Sequence, residues 1–246
     1  MSRNPVRRNC AHPHSCSDET RLRVLADAPL TRELSPDDRR DLNGHLTAWS
    51  WAEGDPMVLA GDEIPGSYLV VSGRARVTRD TADGRELTVD IAAPGDTVGP
   101  LHTEAAVATE SAWAMETTCA LFLPAHALAE VVGDHPSLAL GLIRMQQDRL
   151  AQAREQEIGH TTQSVEQRVG STLRYLDRKL GSLQRDGSSL LQVRLRRDDI
   201  AGMAGTTVES ASRAMARMKK AGVIDSGREW VSVLDRAALE RLIAGD

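Results

Sequence analysis

Five glycine-centred turn signals punctuate the stretch from Trp51 to Leu123: Gly54 with Asp55, Gly61 with Asp62, Gly73, Asp83 with Gly84, and Gly95 with Asp96. Spacings of about 7 to 12 residues between such signals leave room only for short strands, and many short strands fold as a jelly roll or small barrel. Leu87, Val89 and Ile91 alternate with Thr88 and Asp90, the period of a strand with one buried face. Asp83 with Gly84 suits a two-residue hairpin, because glycine accepts positive φ without steric cost. Ahead of this region, Leu22, Leu25, Leu30, Leu34, Leu42 and Leu46 fall at mostly helical gaps, and Ser35 with Pro36 reads as a cap and first turn, so short helices are expected before the first strand. Residues 1 to 20, with Pro5, Pro13 and two close cysteines, show neither period and are expected to form an irregular arm.

After His135 and Pro136 the turn residues disappear. A helical pattern runs through Leu138, Leu142, Ile143, Met145, Leu150 and Ala153 towards Ile158. One stripe can cover the barrel; a second, made of Ile143, Gln146, Leu150 and Ala153 at alternating spacings of three and four, suits contact with a second copy of the chain. The helix is too long for one small barrel to cover, which favours a homodimer.

A third pattern begins at Arg196: RRDDIAGMAGTTVESASRAMARMKKAGVI. It parses as helix, tight turn, helix. Ile200 and Met203 face inward on the first helix, Ala204 and Gly205 keep the crossing small, and Thr206 is expected to cap the second helix, with Glu209 at capping-box spacing from it. Val208, Ala211, Met215 and Met218 form the expected buried stripe, and Gly222 ends the helix. The opposite face carries Thr207, Glu209, Ser212, Arg213 and Arg217, side chains able to address base edges or phosphates in a major groove. Lys219 and Lys220 extend the positive side, and Val223 to Leu234, centred on Gly227, fits a hairpin wing.

Charge agrees with this division of labour. The net charge is -5, yet residues 161 to 246 hold 15 Lys and Arg against 11 Asp and Glu, while the preceding residues hold 15 against 24. Phosphate-facing chemistry therefore belongs behind residue 160. With 26% charged and 41% hydrophobic residues the chain is an ordinary globular one, and its seven aromatics leave Leu, Val, Ile and Ala to build the core. No run approaches the roughly 18 to 20 uninterrupted apolar residues of a bilayer helix, so a cytoplasmic protein with no membrane partner is expected. Catalysis has little to work with: His45, His102, His126 and His135 are widely separated, and no His-x-His pair falls on the strand-rich segment. A ligand-binding scaffold without DNA recognition remains the alternative from another class.

In these features the chain resembles the CRP/FNR family of bacterial transcription regulators over nearly its whole length. The segments that carry the likeness are VVSGRARV, APGDTVG, VEQRVGSTLRYL and RRDDIAGMAGTTVESASRAM. The resemblance implies an α+β chain: a cysteine-containing arm (1–20), a cyclic-nucleotide-binding-like β jelly roll (21–134), a dimerisation helix (135–160) and a winged helix-turn-helix (161–246). It further implies a non-enzymatic homodimer on double-stranded DNA, with RNA polymerase as a partner. In the fumarate and nitrate reduction branch, the positions matching Glu209, Ser212 and Arg213 read a TTGAT-type half-site. The cyclic-nucleotide branch places an arginine in the stretch corresponding to GDTVGPLHTEAAVATESAWAM; here no arginine falls between Arg85 and Arg144, so cyclic AMP is not expected.

Cys10, Cys16 and Cys119 match three of the four ligand positions of the iron-sulfur branch. Arg7 stands where a further cysteine is expected. A [4Fe-4S] cluster would then need a non-cysteine fourth ligand, His14 or one of His12, Asp18 and Glu19. The segment CAHPHSC leaves zinc, haem, a redox pair and inert thiols open as well.

Overall fold

The computed structural model describes residues 12–13, 16–227 and 229–245. Two compact units emerge. The first holds the described residues up to Thr78 together with Ile91–Met145; the second holds Arg79–Asp90 and the chain from Gln146 onward.

The first unit opens with a short strand, β1 (His12–Pro13), and two helices, α1 (Asp18–Asp27) and α2 (Pro36–His45). Ser17 caps α1. Ser35 caps α2 in a reciprocal box with Asp38, with Pro36 at the first helical position as its fixed φ favours. The strands that follow are β2 (Thr47–Trp51), β3 (Pro56–Val58), β4 (Glu63–Ile64), β5 (Gly66–Ser72), β6 (Ala75–Asp80), β7 (Glu86–Ala92), β8 (Thr97–Val98), β9 (Ala106–Val107), β10 (Ser111–Ala114) and β11 (Thr118–Pro124). They form sheets in the orders β1-β2-β11-β5-β8 and β3-β10-β6-β7, with β4 paired to β9, all antiparallel. All five turn glycines marked in the sequence, Gly54, Gly61, Gly73, Gly84 and Gly95, have positive φ. Helix α3 (Ala125–Asp134) follows β11, and α4 (Pro136–Thr162) begins directly after it.

Aliphatic side chains fill this unit. Leu25, Leu42, Leu121, Leu128 and Leu138 share one cluster, and Val70, Ala75, Ala112 and Ala120 another. At the α3–α4 junction His135 is gripped from both sides: Nδ1 lies 3.0 Å from Asp38 and Nε2 3.0 Å from Asp41. The bond to Asp41, aided by the charges of Asp38, Asp41 and Asp134, holds the imidazole above its ordinary pKa against the opposing effect of burial. The folded chain thus binds this proton more tightly than the unfolded one. The stability it contributes is complete below the ordinary histidine value of about 6.5 and disappears as pH rises through the higher folded value. Melting curves of the N-terminal unit are expected to shift downward as pH rises above about 6.5, and His135→Gln should flatten that dependence.

Three expectations are corrected here. The arm is not wholly irregular, because His12 and Pro13 pair with Ser50 and Trp49 and helix α1 starts at Asp18; two strand residues are too few to carry a period. The β6–β7 hairpin has a three-residue loop rather than two: Thr81 N–H donates to the Arg85 carbonyl, Gly84 N–H donates to the Thr81 carbonyl, and Gly84 occupies the left-handed position. Along the outer half of β7 the buried face is also inverted. Leu87 is 36% exposed and Thr88 is 6% exposed, because Thr88 faces α6 of the second unit rather than a barrel interior.

The second unit continues α4 and adds α5 (Val165–Leu180), β12 (Ser182–Leu183), β13 (Ser189–Leu191), α6 (Arg197–Met203), α7 (Val208–Lys220), β14 (Ile224–Ser226), β15 (Val231–Val233) and α8 (Arg236–Ala244). Its sheet order is β12-β13-β15-β14. Val169, Leu173, Leu176, Ile200, Met215, Met218, Ile224 and Leu239 make the core. Among the described residues no helix is long and apolar enough to cross a membrane.

Candidate nucleic-acid interface

Helices α6 and α7 are joined by a turn whose backbone only a few residues could follow. Ala204 closes α6, Gly205 adopts φ +57°, and Thr206 N–H donates to the Ala201 carbonyl at 3.0 Å. Gly205 suits this left-handed backbone, and a Cβ there would also force the exposed His160 ring to swing aside. Arg168 of α5 clamps the turn from below, donating through Nε to the Ala204 carbonyl at 3.0 Å and through Nη2 to that of Gly205 at 3.4 Å.

The N-cap of α7 is Thr207, whose Oγ1 accepts from Ser210 N–H at 3.2 Å. This corrects the expectation that Thr206 caps the helix with Glu209 folding back on it. Both threonines are chemically competent, and the extended backbone of Thr207 decides between them. Ala211, Met215 and Met218 form the buried stripe; Val208, expected among them, is the first residue of the helix and is 42% exposed.

The outward face carries Thr207, Glu209, Arg213 and Arg217, all exposed, with Ser212 half-buried. Its charges are already partnered. Arg213 Nη1 lies 2.7 Å from Glu209 Oε1 and its Nη2 reaches Ser210 Oγ at 3.3 Å; Arg217 Nε pairs with Glu166 of α5 at 2.7 Å; Lys219 Nζ pairs with Asp225 at 2.7 Å, holding that carboxyl below its ordinary range. Exposed pairs of this kind are worth little in water, so they orient the side chains while leaving them ready to exchange a carboxylate for a phosphate or base edge. The wing follows as β14 and β15, with Gly227 N–H donating to the Trp230 carbonyl across the hairpin.

Support for the first helix comes from residues that the sequence pattern did not single out. Asp199, 1% exposed, accepts from Arg196 N–H at 2.7 Å and from Thr88 Oγ1 at 2.9 Å. Next to it, Asp90 accepts from Tyr175 Oη at 2.9 Å and from Lys179 Nζ at 2.8 Å. Burial, reinforced by the Asp90 charge, keeps the Tyr175 hydroxyl above its ordinary pKa and so protonated. The outer β6–β7 hairpin is thereby bolted to α5 and α6 within the same unit.

On α4 the stripe residues Ile143, Gln146, Leu150 and Ala153 are all exposed, as are Leu140 and Ile158. Of the metal candidates, Cys10 and His14 lie outside the described residues. Cys16 and Cys119 are neighbours, both free thiols; burial and the nearby Cys16 push Cys119 up to about 12, against a smaller pull from the Arg21 charge. Among the described residues no group of three metal-capable side chains assembles.

A strand-rich domain followed by a long helix and a winged helix-turn-helix defines a DNA-binding regulator. Residues 48–135 match the cyclic nucleotide-binding domain family, and residues 167–242 match the Crp-like helix-turn-helix domain family. The chain is 26% identical to the Cyclic AMP receptor protein of Thermus thermophilus across 90% of its own length and 99% of that relative. It is 27% identical to the Fumarate and nitrate reduction regulatory protein of Vibrio cholerae across 77% of its own length and 76% of that relative. In fold it is similar to FixK2 from Bradyrhizobium japonicum, with a TM-score of 0.71 at 23% identity over 80% of this chain and 96% of that one. The chain belongs to the CRP/FNR family, whose members are transcription regulators and not enzymes.

Proposed function

We propose that this regulator works in the cytoplasm as a homodimer, each copy reading one TTGAT-type half-site of a palindrome with α7 and acting on RNA polymerase. The observation that carries the reading is the outward set on α7, exposed Thr207, Glu209, Arg213 and Arg217 with half-buried Ser212, bordered by Lys219 and Lys220. The unpartnered apolar positions along α4, Ile143 and Leu150 with Gln146 and Ala153, support pairing through that helix about a two-fold axis. Half-sites would then lie about one helical turn apart.

For the signal, the reading is an N-terminal iron-sulfur cluster held by Cys10, Cys16, Cys119 and a fourth ligand such as His14. The described part of that set supports the reading through the adjacency of Cys16 and Cys119. When bound, such a cluster supplies a link between arm and barrel that oxygen or nitric oxide can destroy. The absence of any arginine between Arg85 and Arg144 supports a signal other than cyclic AMP. Iron and sulfide content of anaerobically isolated protein tests the cluster.

DNA reading is tested by gel shift at physiological salt, with a TTGAT palindrome against a scrambled duplex. Arg213→Ala is expected to cut affinity for the palindrome about 10- to 100-fold with little change on the scrambled duplex. Lys219→Ala is expected to weaken both equally and reduce the salt slope by about 1. Equal binding of both duplexes by the unaltered chain would overturn the reading.

A further inference from the structure

Cys16 and Cys119 are 103 positions apart in sequence and meet at the edge of the N-terminal core. The sheet register explains how. Ser50 of β2 pairs with His12 on one side and Cys119 on the other, so the arm runs two strands away from Cys119. Four residues beyond His12, just before the Ser17 cap of α1, the chain presents Cys16 to the cluster around Cys119. Cys119 is buried among Leu69, Leu121 and Val24, while Cys16 is half-buried and open to small molecules. Beside them, Arg21 donates through Nη2 to the carbonyls of Asn43 and Leu46, and its Nε–H is buried without a partner.

We propose that in the metal-free chain Cys16 and Cys119 form a peroxide-responsive redox pair that closes an intramolecular disulfide. The Cys16 thiolate attacks hydrogen peroxide; the S–O bond forms, the O–O bond breaks, and hydroxide leaves to take up a proton as water. The Cys119 thiol then attacks the Cys16 sulfenic sulfur; the S–S bond forms, the S–O bond breaks, and the Cys119 proton departs with the oxygen as a second water. Overall, two thiols lose two electrons and two protons, and one peroxide becomes two waters. The order follows from access: the half-buried Cys16 sulfur meets the oxidant first, and its buried neighbour resolves the sulfenic acid before further oxidation. The bond ties the start of α1 to β11, the strand paired with β2 and β5.

The inference concerns the same cysteines as the cluster reading but a different state, so the two fail separately. The test uses full-length protein prepared with chelator, reduced, desalted, and treated with stoichiometric hydrogen peroxide. Remaining thiols are then alkylated and the peptides analysed by mass spectrometry. The expected result is a loss of about 2 Da, a reducible peptide pair joining Cys16 to Cys119, and alkylation confined to Cys10. Cys10→Ser should give the same bond, whereas Cys16→Ser should abolish it. Full alkylation of both thiols after peroxide in Cys10→Ser protein, a bond to Cys10, or oxidation that stops at a Cys16 sulfinic acid would each overturn the pair. None of those outcomes bears on iron and sulfide content, which decides the cluster.

Discussion

Gly141→Ala is expected to lower the melting temperature of the N-terminal unit by about 5 to 10 °C, although the same change in an ordinary helix interior stabilises by about 1 kcal/mol. The reversal comes from packing. Gly141 lies within α4, and a Cβ there would penetrate the carbonyl oxygen of Leu30, a backbone atom that cannot rotate away. Relief requires α4 to back off from the segment that buries Leu30, loosening the cluster that also contains Leu138 and Met145. Overpacking of this kind typically costs about 1 to 3 kcal/mol, occasionally more. Gly133 in α3 is the internal control, because a Cβ there meets nothing within 4 Å; Gly133→Ala should leave the melt unchanged or raise it slightly. Paired thermal melts decide the matter, and a Gly141→Ala protein as stable as the parent would show that α4 is not held against Leu30. Because α4 also carries the proposed dimer stripe, the same variant should dimerise more weakly.

The elements legible in the sequence are those whose cause is local. Gly54, Gly61, Gly73, Gly84 and Gly95 marked the turns because each supplies a positive φ that a side chain would oppose, and a period near 3.6 marked α4, α6 and α7. The outward face of α7 was legible for the same reason: a helix of known phase assigns faces. What escaped depends on partners far along the chain. Nothing near Arg168 says that its guanidinium will hold the turn at Ala204 and Gly205, and nothing near Glu166 says that it will meet Arg217. The alternation at Leu87 and Thr88 was read on the wrong face because the residue that buries Thr88 lies 111 positions away. The adjacency of Cys16 and Cys119 is likewise set by strand order rather than spacing.

That misread face leads to the second large effect. Asp199→Ala is expected to destabilise the C-terminal unit by about 2 to 4 kcal/mol, through two donors left without their acceptor, one of them buried. One is Arg196 N–H at the entry to α6, and the other is the Thr88 hydroxyl. Losing the first resembles removal of a helix cap, typically about 1 kcal/mol; losing the second strands a hydroxyl that is 6% exposed. Thr88→Val, which removes that hydroxyl while keeping its shape, should cost only about 1 kcal/mol alone. In the Asp199→Ala background it should cost less or even stabilise, giving a coupling of about 1 kcal/mol in a double-mutant cycle. Additive losses would mean that the Thr88–Asp199 bond contributes nothing. The consequence for DNA follows from the position of α6, the helix against which Ala211 and Met215 of α7 are packed. Fraying its first turn should reduce affinity for palindromic and scrambled duplexes alike, in proportion to the lost stability. Arg213→Ala, acting only at the outward face, should change the preference between those duplexes while leaving the melt of the unit where it was.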